Sequence, residues 1–141
     1  MAAQQVYRGE RLGLPASGPG SIASVDRRVV AFVVDCLAAA LVAALFTAGF
    51  AGHRGVGALP QSWSLLALFA DYVIGLPLAG RTLGMNLAGL RCVRVDRAAR
   101  VSVLDAAVRV ILLILLVPAV IWDRDQRGLH DRAARTVVVR A

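Results

Sequence analysis

Residues 29–50 read VVAFVVDCLAAALVAALFTAGF, a run of 22 residues in which the only charged side chain is Asp35. As an α-helix this run would be about 33 Å long, which is enough to cross the hydrocarbon core of a bilayer. A secretory signal is the rival interpretation, but its apolar region is shorter, about 7 to 15 residues, and would not contain an aspartate. The stretch therefore predicts a first transmembrane helix over residues 26–50.

The composition of the whole chain favours the same class. The 141 residues are 58% hydrophobic and 18% charged, which is far more apolar surface than a soluble core of that size needs. All sixteen basic residues are arginines, and the net charge is +7. No basic helix or interleaving of basic and aromatic residues favours nucleic acid, so anionic lipid headgroups are the expected partner. Cys36 and Cys92 lack a CxxC or metal-ligand spacing and are predicted to be free thiols.

A second apolar run extends from Trp63 to Ala79, after a glycine-rich loop that ends at Pro60. Its 17 residues are at the short limit for a membrane span, with Asp71 near the middle and Trp63 placed as an interfacial anchor. We predict a second transmembrane helix over about residues 63–80.

The third apolar run, residues 110–122, would be only about 20 Å long as a helix and cannot cross the membrane alone. Extension back to Ser102 gives a helix over about 102–122, but it includes Asp105 and Arg109, which are spaced to pair along one face. Ser102 and Asp105 also have the spacing of a capping box. Pro118 favours a bend, which a re-entrant segment could use.

The arginines predict which side of the membrane each loop occupies. Four precede the apolar run at residues 29–50, one follows it, five lie in the second loop and five follow Trp122. The positive-inside rule therefore predicts a cytoplasmic N-terminus and second loop in a multi-pass protein of the bacterial cytoplasmic (inner) membrane. A full third span would move the five tail arginines outside. A re-entrant or interfacial segment would keep fourteen of sixteen inside, so we favour that form and leave the full span open.

Short β-prone runs at residues 90–95 and 135–140 support the same interpretation. Residues 101–103 could form the other arm of a hairpin that turns at residues 96–100. If these strands pair, both ends of the third segment lie on one side of the membrane. The predicted fold class is an all-α membrane protein with two transmembrane helices, a third membrane-embedded helix that is spanning or re-entrant, and short cytoplasmic β-strands.

Two regions are predicted along the chain. Residues 1–24 contain Pro15, Pro19 and several glycines without periodicity, so we expect a flexible N-terminal tail. Residues 25–141 would then form the membrane domain.

Four charged residues are predicted to form an intramembrane cluster. Asp35, Asp71 and Arg109 would lie roughly 6 to 12 Å inside the cytoplasmic interface, and Arg28 shares a helix face with Asp35. We hypothesise that Arg109 pairs with Asp35 while Asp71 stays free to take up a proton, as a proton-coupled pathway would need. In the alternative, the charges only hold three helices together and nothing is transported.

The chain also resembles the RDD family over about residues 25 to 140. The resemblance is carried by Arg28, Ala31 and Asp35, by Gly80-Arg81-Thr82-Leu83-Gly84, by LRCVRV at residues 90–95, and by RGLHD at residues 127–131 with TVV at residues 136–138. The family is named for an arginine and two aspartates, which match Arg28, Asp35 and, as the best third match, Asp131. In many relatives the glycine motif has proline and lysine where this chain has Leu83 and Met85, and Asp71 matches no family signature.

The resemblance implies a bacterial inner-membrane domain, mostly of unknown activity, with some members proposed to move monovalent cations against protons. From its own residues, the turn at residues 80–84 predicts a sharp exit from the second helix with Arg81 among the headgroups. It has no phosphate-loop spacing. His130 beside Asp131 makes a weak metal or acid-base site, and we expect Asp131 to cap or pair with Arg127, Arg132 or Arg135.

No nucleophile, paired-carboxylate or cofactor pattern is present in the sequence, so neither an enzyme nor a cofactor is expected. Two functional classes remain open. One is a transport component for monovalent cations and protons that acts as a homo-oligomer. The other is an accessory or assembly subunit of a larger membrane complex.

Overall fold

The computed structural model describes residues 6–50, 62–96, 100–115 and 127–141. Within these ranges the chain forms helices α1 to α5, strands β1 and β2, and a short 3-10 helix, Glu10–Leu12. In chain order the elements are α1 (Val25–Phe50), α2 (Ser62–Ala79), α3 (Leu83–Leu87), β1 (Leu90–Arg94), α4 (Val103–Ile114), α5 (Leu129–Ala133) and β2 (Thr136–Arg140).

Helix α1 turns its small residues inward and its large apolar residues outward. Ala31, Asp35 and Ala39, which are spaced four apart on one face, are buried against the rest of the molecule. Leucines on the opposite face stay 61–65% exposed, at positions 37, 41 and 45. Because a soluble helix buries its large apolar side chains, this reversed pattern is typical of a helix whose outer face contacts lipid.

Helix α2 lies between α1 and α4 and packs against both of them. It too has exposed apolar side chains on its outer side, including Leu66, Ile74 and Leu78. By length and composition α1 can cross a membrane, and residues 63–79 of α2 form a shorter apolar helix. The observed bounds of α1 and α2 confirm the predicted helices at residues 26–50 and 63–80 to within a residue at each end.

The two strands form an antiparallel pair in which Leu90 is opposite Arg140 and Arg94 is opposite Thr136. Both β-prone runs are therefore confirmed as strands. Leu90, Cys92 and Val138 on one face join the helical core. Val137 and Val139 on the other face pack against Leu14 of the N-terminal segment. The sheet is thus covered on both sides.

The predicted hairpin arm at residues 101–103 is wrong, because this segment begins a helix. The Ser102 hydroxyl accepts a hydrogen bond from the Asp105 backbone N–H (3.1 Å), and the Asp105 carboxylate accepts one from the Ser102 N–H (3.4 Å). This reciprocal capping box, which the sequence predicted, starts α4 at Val103. The strand partner of β1 comes from the distant residues 136–140.

The pairing of β1 with β2 brings the two ends of the third segment together. The Val95 N–H donates to the Arg135 carbonyl (3.0 Å), so the chain leaves and returns to the sheet at one place. The 12 residues of α4 extend about 18 Å, less than the thickness of a hydrocarbon core. Most of the predicted continuation to residue 122 lies outside the described residues.

Residues 6–24 contact β2, although the sequence predicted a flexible tail there. The Gly20 N–H donates to the Arg140 carbonyl (2.9 Å), and the Ala23 N–H donates to the Val138 carbonyl (3.0 Å). Leu14 is buried on the sheet. No local pattern indicates this packing, because the segment depends on distant backbone partners. A domain boundary at residue 24 stays a prediction.

Candidate functional site

A fully buried carboxylate, that of Asp131 on α5, lies between two arginines. Arg28 of α1 brings its Nη1 to 3.3 Å from Oδ2, and Arg109 of α4 forms an ion pair with Oδ1 through its own Nη1. Arg109 is itself buried. We call these three residues the Asp131 centre. A buried charge is stable only with such partners, because its removal from water costs several kcal/mol.

The two guanidinium groups of the Asp131 centre also bind β2. Arg28 Nη2 donates to the Val138 carbonyl (3.1 Å), and Arg109 Nη1 donates to the Thr136 hydroxyl (3.1 Å). The centre therefore joins α1, α4, α5 and β2 through charge-assisted hydrogen bonds, which are stronger than neutral ones.

The predicted pairing of Arg109 with Asp35 is wrong, because Arg109 pairs with Asp131. The expectation that Asp105 could pair with Arg109 is also wrong, since the Asp105 carboxylate lies 3.4 Å from Arg94 Nη1. Helical rise gave the depth of these residues but not the direction in which each side chain points around its helix axis.

Asp131 was expected to pair with an arginine nearby in sequence, and this expectation is wrong too. Its partners come from α1 and α4, far away along the chain. Of the three candidates, Arg127 instead donates from Nε to the Thr136 carbonyl (3.2 Å), while Arg132 and Arg135 are exposed. The long-range pairs form because the Asp131 carboxylate is buried in the core, where the exposed Arg132 and Arg135 do not lie.

A second buried carboxylate, Asp35, fixes the start of α3 against α1. Its Oδ2 accepts a hydrogen bond from the Thr82 hydroxyl (2.7 Å), and its Oδ1 accepts one from the Gly84 N–H (2.5 Å). Thr82 is the N-cap of α3, and its hydroxyl also accepts from the Met85 N–H (3.2 Å). Asp35 thus completes the cap of a helix to which it does not belong.

The glycines of the Gly80 to Gly84 motif have geometric roles. A Cβ at Gly84 would overlap the Ala31 carbonyl oxygen and lie 2.8 Å from Asp35 Oδ1, so only glycine lets α3 approach α1 this closely. Gly80 has a φ of 69°, in the left-handed region, and its carbonyl accepts from the Cys92 N–H (2.7 Å). The sharp exit from the second helix is confirmed. Arg81 donates to the Asn86 side chain (3.1 Å).

Asp71 of α2 is the carboxylate with the fewest partners among these groups. Its Oδ1 accepts a long hydrogen bond from the Leu83 N–H (3.4 Å), and its buried Oδ2 has no hydrogen-bond partner in the described parts of the chain. The neighbouring Tyr72 is buried, and its hydroxyl is close enough to Asp35, Asp71 and Arg109 to interact electrostatically with all three. We call Asp35, Asp71 and Tyr72 the Asp71 centre.

The predicted cluster of four charges is therefore divided. Arg28 and Arg109 belong to the Asp131 centre, while Asp35 and Asp71 belong to the Asp71 centre, and the buried Tyr72 interacts electrostatically with groups of both. Sequence reasoning missed Tyr72. A hydroxyl-bearing residue directly after an acidic one in an apolar helix was the available signal.

His130 is buried beside Asp131, with its Nε2 at 3.7 Å from Oδ2. A Cβ at Gly128 would come within 2.7 Å of the imidazole Nδ1, so glycine gives the ring its space. Within the described ranges, no three histidine, cysteine, aspartate or glutamate side chains are grouped as metal ligands would be.

Comparison with known proteins places these residues in one family. The model of the RDD family matches residues 22–135, which contain both carboxylate centres except for the contacts to β2. No curated protein and no solved structure matches the chain. The long apolar α1 and this family match together indicate a membrane protein. With most of its length covered by the family model, the chain belongs to the RDD family.

Proposed function

We propose that this chain is a multi-pass protein of the bacterial cytoplasmic membrane whose arginine-bearing end faces the cytoplasm. We define that end as the start of α1, the end of α2, the sheet and α5. The described arginines lie there, in the N-terminal segment that contacts β2, directly before α4 or, for Arg109, within two turns of the start of α4. This distribution supports a cytoplasmic N-terminus, because arginine-rich segments stay on the cytoplasmic side.

The third segment is proposed to enter the membrane and return to the same side. Its two ends are held together by the hydrogen bond from Val95 to Arg135. Helix α4 has an apolar outer side with exposed Leu104, Ile111 and Leu115. A segment with an apolar face and both ends at one sheet is suited to a re-entrant position, where irregular backbone is tolerated against protein.

Within the membrane, the chain is proposed to act as an accessory or assembly subunit of a larger membrane complex, without catalytic activity. The Asp131 centre is the observation that carries this proposal. Its carboxylate is fully buried and neutralised by Arg28 and Arg109, so the charges that could have formed a pathway serve as fixed contacts between elements. The apolar outer faces remain available to lipid or other membrane proteins.

Transport of monovalent cations against protons is the second candidate, and the Asp71 centre favours it. A half-buried carboxylate with one unsatisfied oxygen, near a second carboxylate, is the kind of group that takes up and releases protons within a membrane. One copy of the chain has only a few short helices, which enclose little space. Such transport would therefore require a homo-oligomer.

Purification of the full chain in a gentle detergent, followed by mass measurement of the intact assembly, tests the accessory role. We expect recovery with other membrane proteins in a fixed stoichiometry. Recovery only as a homo-oligomer would contradict the accessory proposal and favour transport.

Proton movement in vesicles separates the two candidates directly. The accessory proposal predicts that Asp71→Asn and wild-type protein give the same cation-dependent proton movement. Asp96→Asn is the matched control, because Asp96 is exposed and paired with Arg94 at the surface. A loss of movement in Asp71→Asn alone would establish the transport candidate.

A further inference from the structure

A cleft of about 910 Å³ opens beside the last turn of α2, between that helix, β1 and the start of α4. One wall is apolar and includes Leu76 and Leu78 of α2. The rest of the lining includes the N-terminal segment at Leu14 and Pro15 and four basic residues, which are Arg91, Arg94, Arg100 and Arg140. Its volume is within the range of small-molecule sites, about 300 to 1,000 Å³.

Most of the positive charge in the cleft is not neutralised. Arg94 pairs with Asp96 (3.2 Å) and with Asp105 (3.4 Å), so its charge is balanced. Across the described ranges, no carboxylate forms an ion pair with the other three arginines, which are exposed and are Arg91, Arg100 and Arg140. The cleft is therefore ready to accept an anion.

The apolar wall indicates that the ligand has an apolar part as well as an anionic group. Leu78 is 72% exposed, although it lies in the last turn of the apolar helix α2. If the arginine-bearing end faces the cytoplasm, as proposed above, this turn lies where acyl chains meet headgroups. Basic pockets at this level of membrane proteins bind anionic lipid headgroups.

We propose that the cleft binds an anionic phospholipid, whose phosphate is attracted by the unneutralised charges of Arg91, Arg100 and Arg140 and whose acyl chain lies along Leu78. Guanidinium groups suit this role, because their paired N–H donors match two phosphate oxygens. A free phosphate could bind the same arginines. The exposed apolar wall favours a phosphate that belongs to a lipid, because a free phosphate would leave that wall unoccupied.

Native mass spectrometry of the full chain in neutral detergent, with phosphatidylglycerol added, tests this proposal. Each arginine near a membrane surface contributes about fivefold to anionic-lipid affinity, so the triple variant Arg91→Gln/Arg100→Gln/Arg140→Gln should bind about 100-fold more weakly than wild type. The matched control Arg11→Gln/Arg27→Gln/Arg132→Gln makes the same charge change at exposed positions away from the cleft and should bind close to wild type. Equal loss in both triple variants would overturn the proposal, because binding would then depend on net charge alone.

Two further arms separate the source of the phosphate from the site. Glycerol phosphate, the headgroup without acyl chains, should raise the unfolding temperature of the wild type far less than phosphatidylglycerol does. Leu78→Asn should weaken lipid binding and leave glycerol phosphate binding unchanged. Equal stabilisation by both compounds would assign the cleft to free phosphate and contradict the lipid proposal.

The proposal rests on the membrane placement but fails separately from it. Resistance of the wild type and the triple variant to alkaline extraction from membranes reports insertion by itself. If both are inserted and bind phosphatidylglycerol equally, the cleft proposal is wrong and the membrane placement stands. If the wild type is extracted, the placement itself is wrong.

The single variant Arg91→Gln, at an exposed strand position, should lose about fivefold in lipid affinity. It gives a second measure that does not depend on whether the triple variant folds.

Discussion

The Asp131 centre and the Asp71 centre put the same chemical group in opposite surroundings. In the first, a fully buried carboxylate has guanidinium partners on two sides, and those partners are tied to β2. In the second, Asp35 is satisfied by Thr82 and Gly84, but Asp71 keeps a buried oxygen without a hydrogen-bond partner in the described chain.

The difference shows which charged residues stabilise the fold and which one does not. Removal of one partner from a buried pair leaves an uncompensated charge, which is strongly destabilising. Removal of the Asp71 charge, which has no strong partner, leaves no other buried charge uncompensated. Arg28, Asp35 and Asp131 therefore belong to the fold, and Asp71 is the buried charged residue whose substitution is expected to change stability least.

The largest effect is expected at the Asp131 centre. Asp131→Ala would leave two guanidinium groups facing each other without an anion, and should lower the free energy of unfolding by about 3 to 5 kcal/mol. Equilibrium unfolding in detergent micelles measures this. Asp96→Ala is the control, since its surface pair with Arg94 is worth about 1 kcal/mol or less. Similar losses in the two variants would show that the Asp131 centre does not hold the fold.

A smaller loss is expected at the glycine that joins α3 to α1. Gly84→Ala would place a methyl group against the Ala31 carbonyl and separate the two helices, at a cost of about 1 to 3 kcal/mol. Gly49→Ala, whose added Cβ would meet no side chain or neighbouring element of the described residues within 4 Å, should be neutral or slightly stabilising under the same unfolding assay. A neutral Gly84→Ala would contradict the close approach.

The sequence was sufficient to predict the two long apolar helices and the two strands, and insufficient to predict their partners. The apolar runs of α1 and α2 and the β-prone runs gave bounds close to those observed, because length and periodicity are local properties. The capping box of Ser102 and Asp105 was likewise local and is confirmed.

Long-range partners escaped the sequence for physical reasons. The depth of Arg109 followed from helical rise, but its rotation around α4 is set by packing, and this directed it to Asp131 instead of Asp35. The fit of Gly84 against Ala31 likewise depends on how two separate helices approach each other. Residues 6–24 gave no periodic signal, because their structure consists of backbone bonds to β2.

The cap that Asp35 shares with α3 predicts an intermediate effect. Thr82→Val removes the hydroxyl that donates to Asp35 and accepts from Met85, and should lower the free energy of unfolding by about 1 to 2 kcal/mol. The matched control is Thr47→Val, whose hydroxyl donates only to a carbonyl within its own helix. Its unfolding midpoint should be nearly that of the wild type. Equal midpoints for the two variants would remove Thr82 from the proposed cap.

The smallest effect on stability is expected at Asp71. Asp71→Asn removes a charge that lies near the like charge of Asp35 and accepts a long hydrogen bond from the Leu83 N–H, so the free energy of unfolding should change by less than about 1 kcal/mol. Asp35→Asn, by contrast, should be clearly destabilising, because Oδ1 and Oδ2 both accept hydrogen bonds. The same unfolding assay compares the two, and a larger loss for Asp71→Asn would reverse the assigned roles.

The side of the membrane on which the third segment ends tests the central claim most directly. Single cysteines at Val56, Asp96 and Arg132, in a Cys36→Ala/Cys92→Ala background, can be labelled with an impermeant thiol reagent in vesicles of known orientation. We predict that only Val56→Cys reacts in right-side-out vesicles, and that Asp96→Cys and Arg132→Cys react in inside-out ones. Reaction of Arg132→Cys in right-side-out vesicles would mean that the third segment crosses the membrane, contrary to the arrangement built on the pairing of β1 with β2.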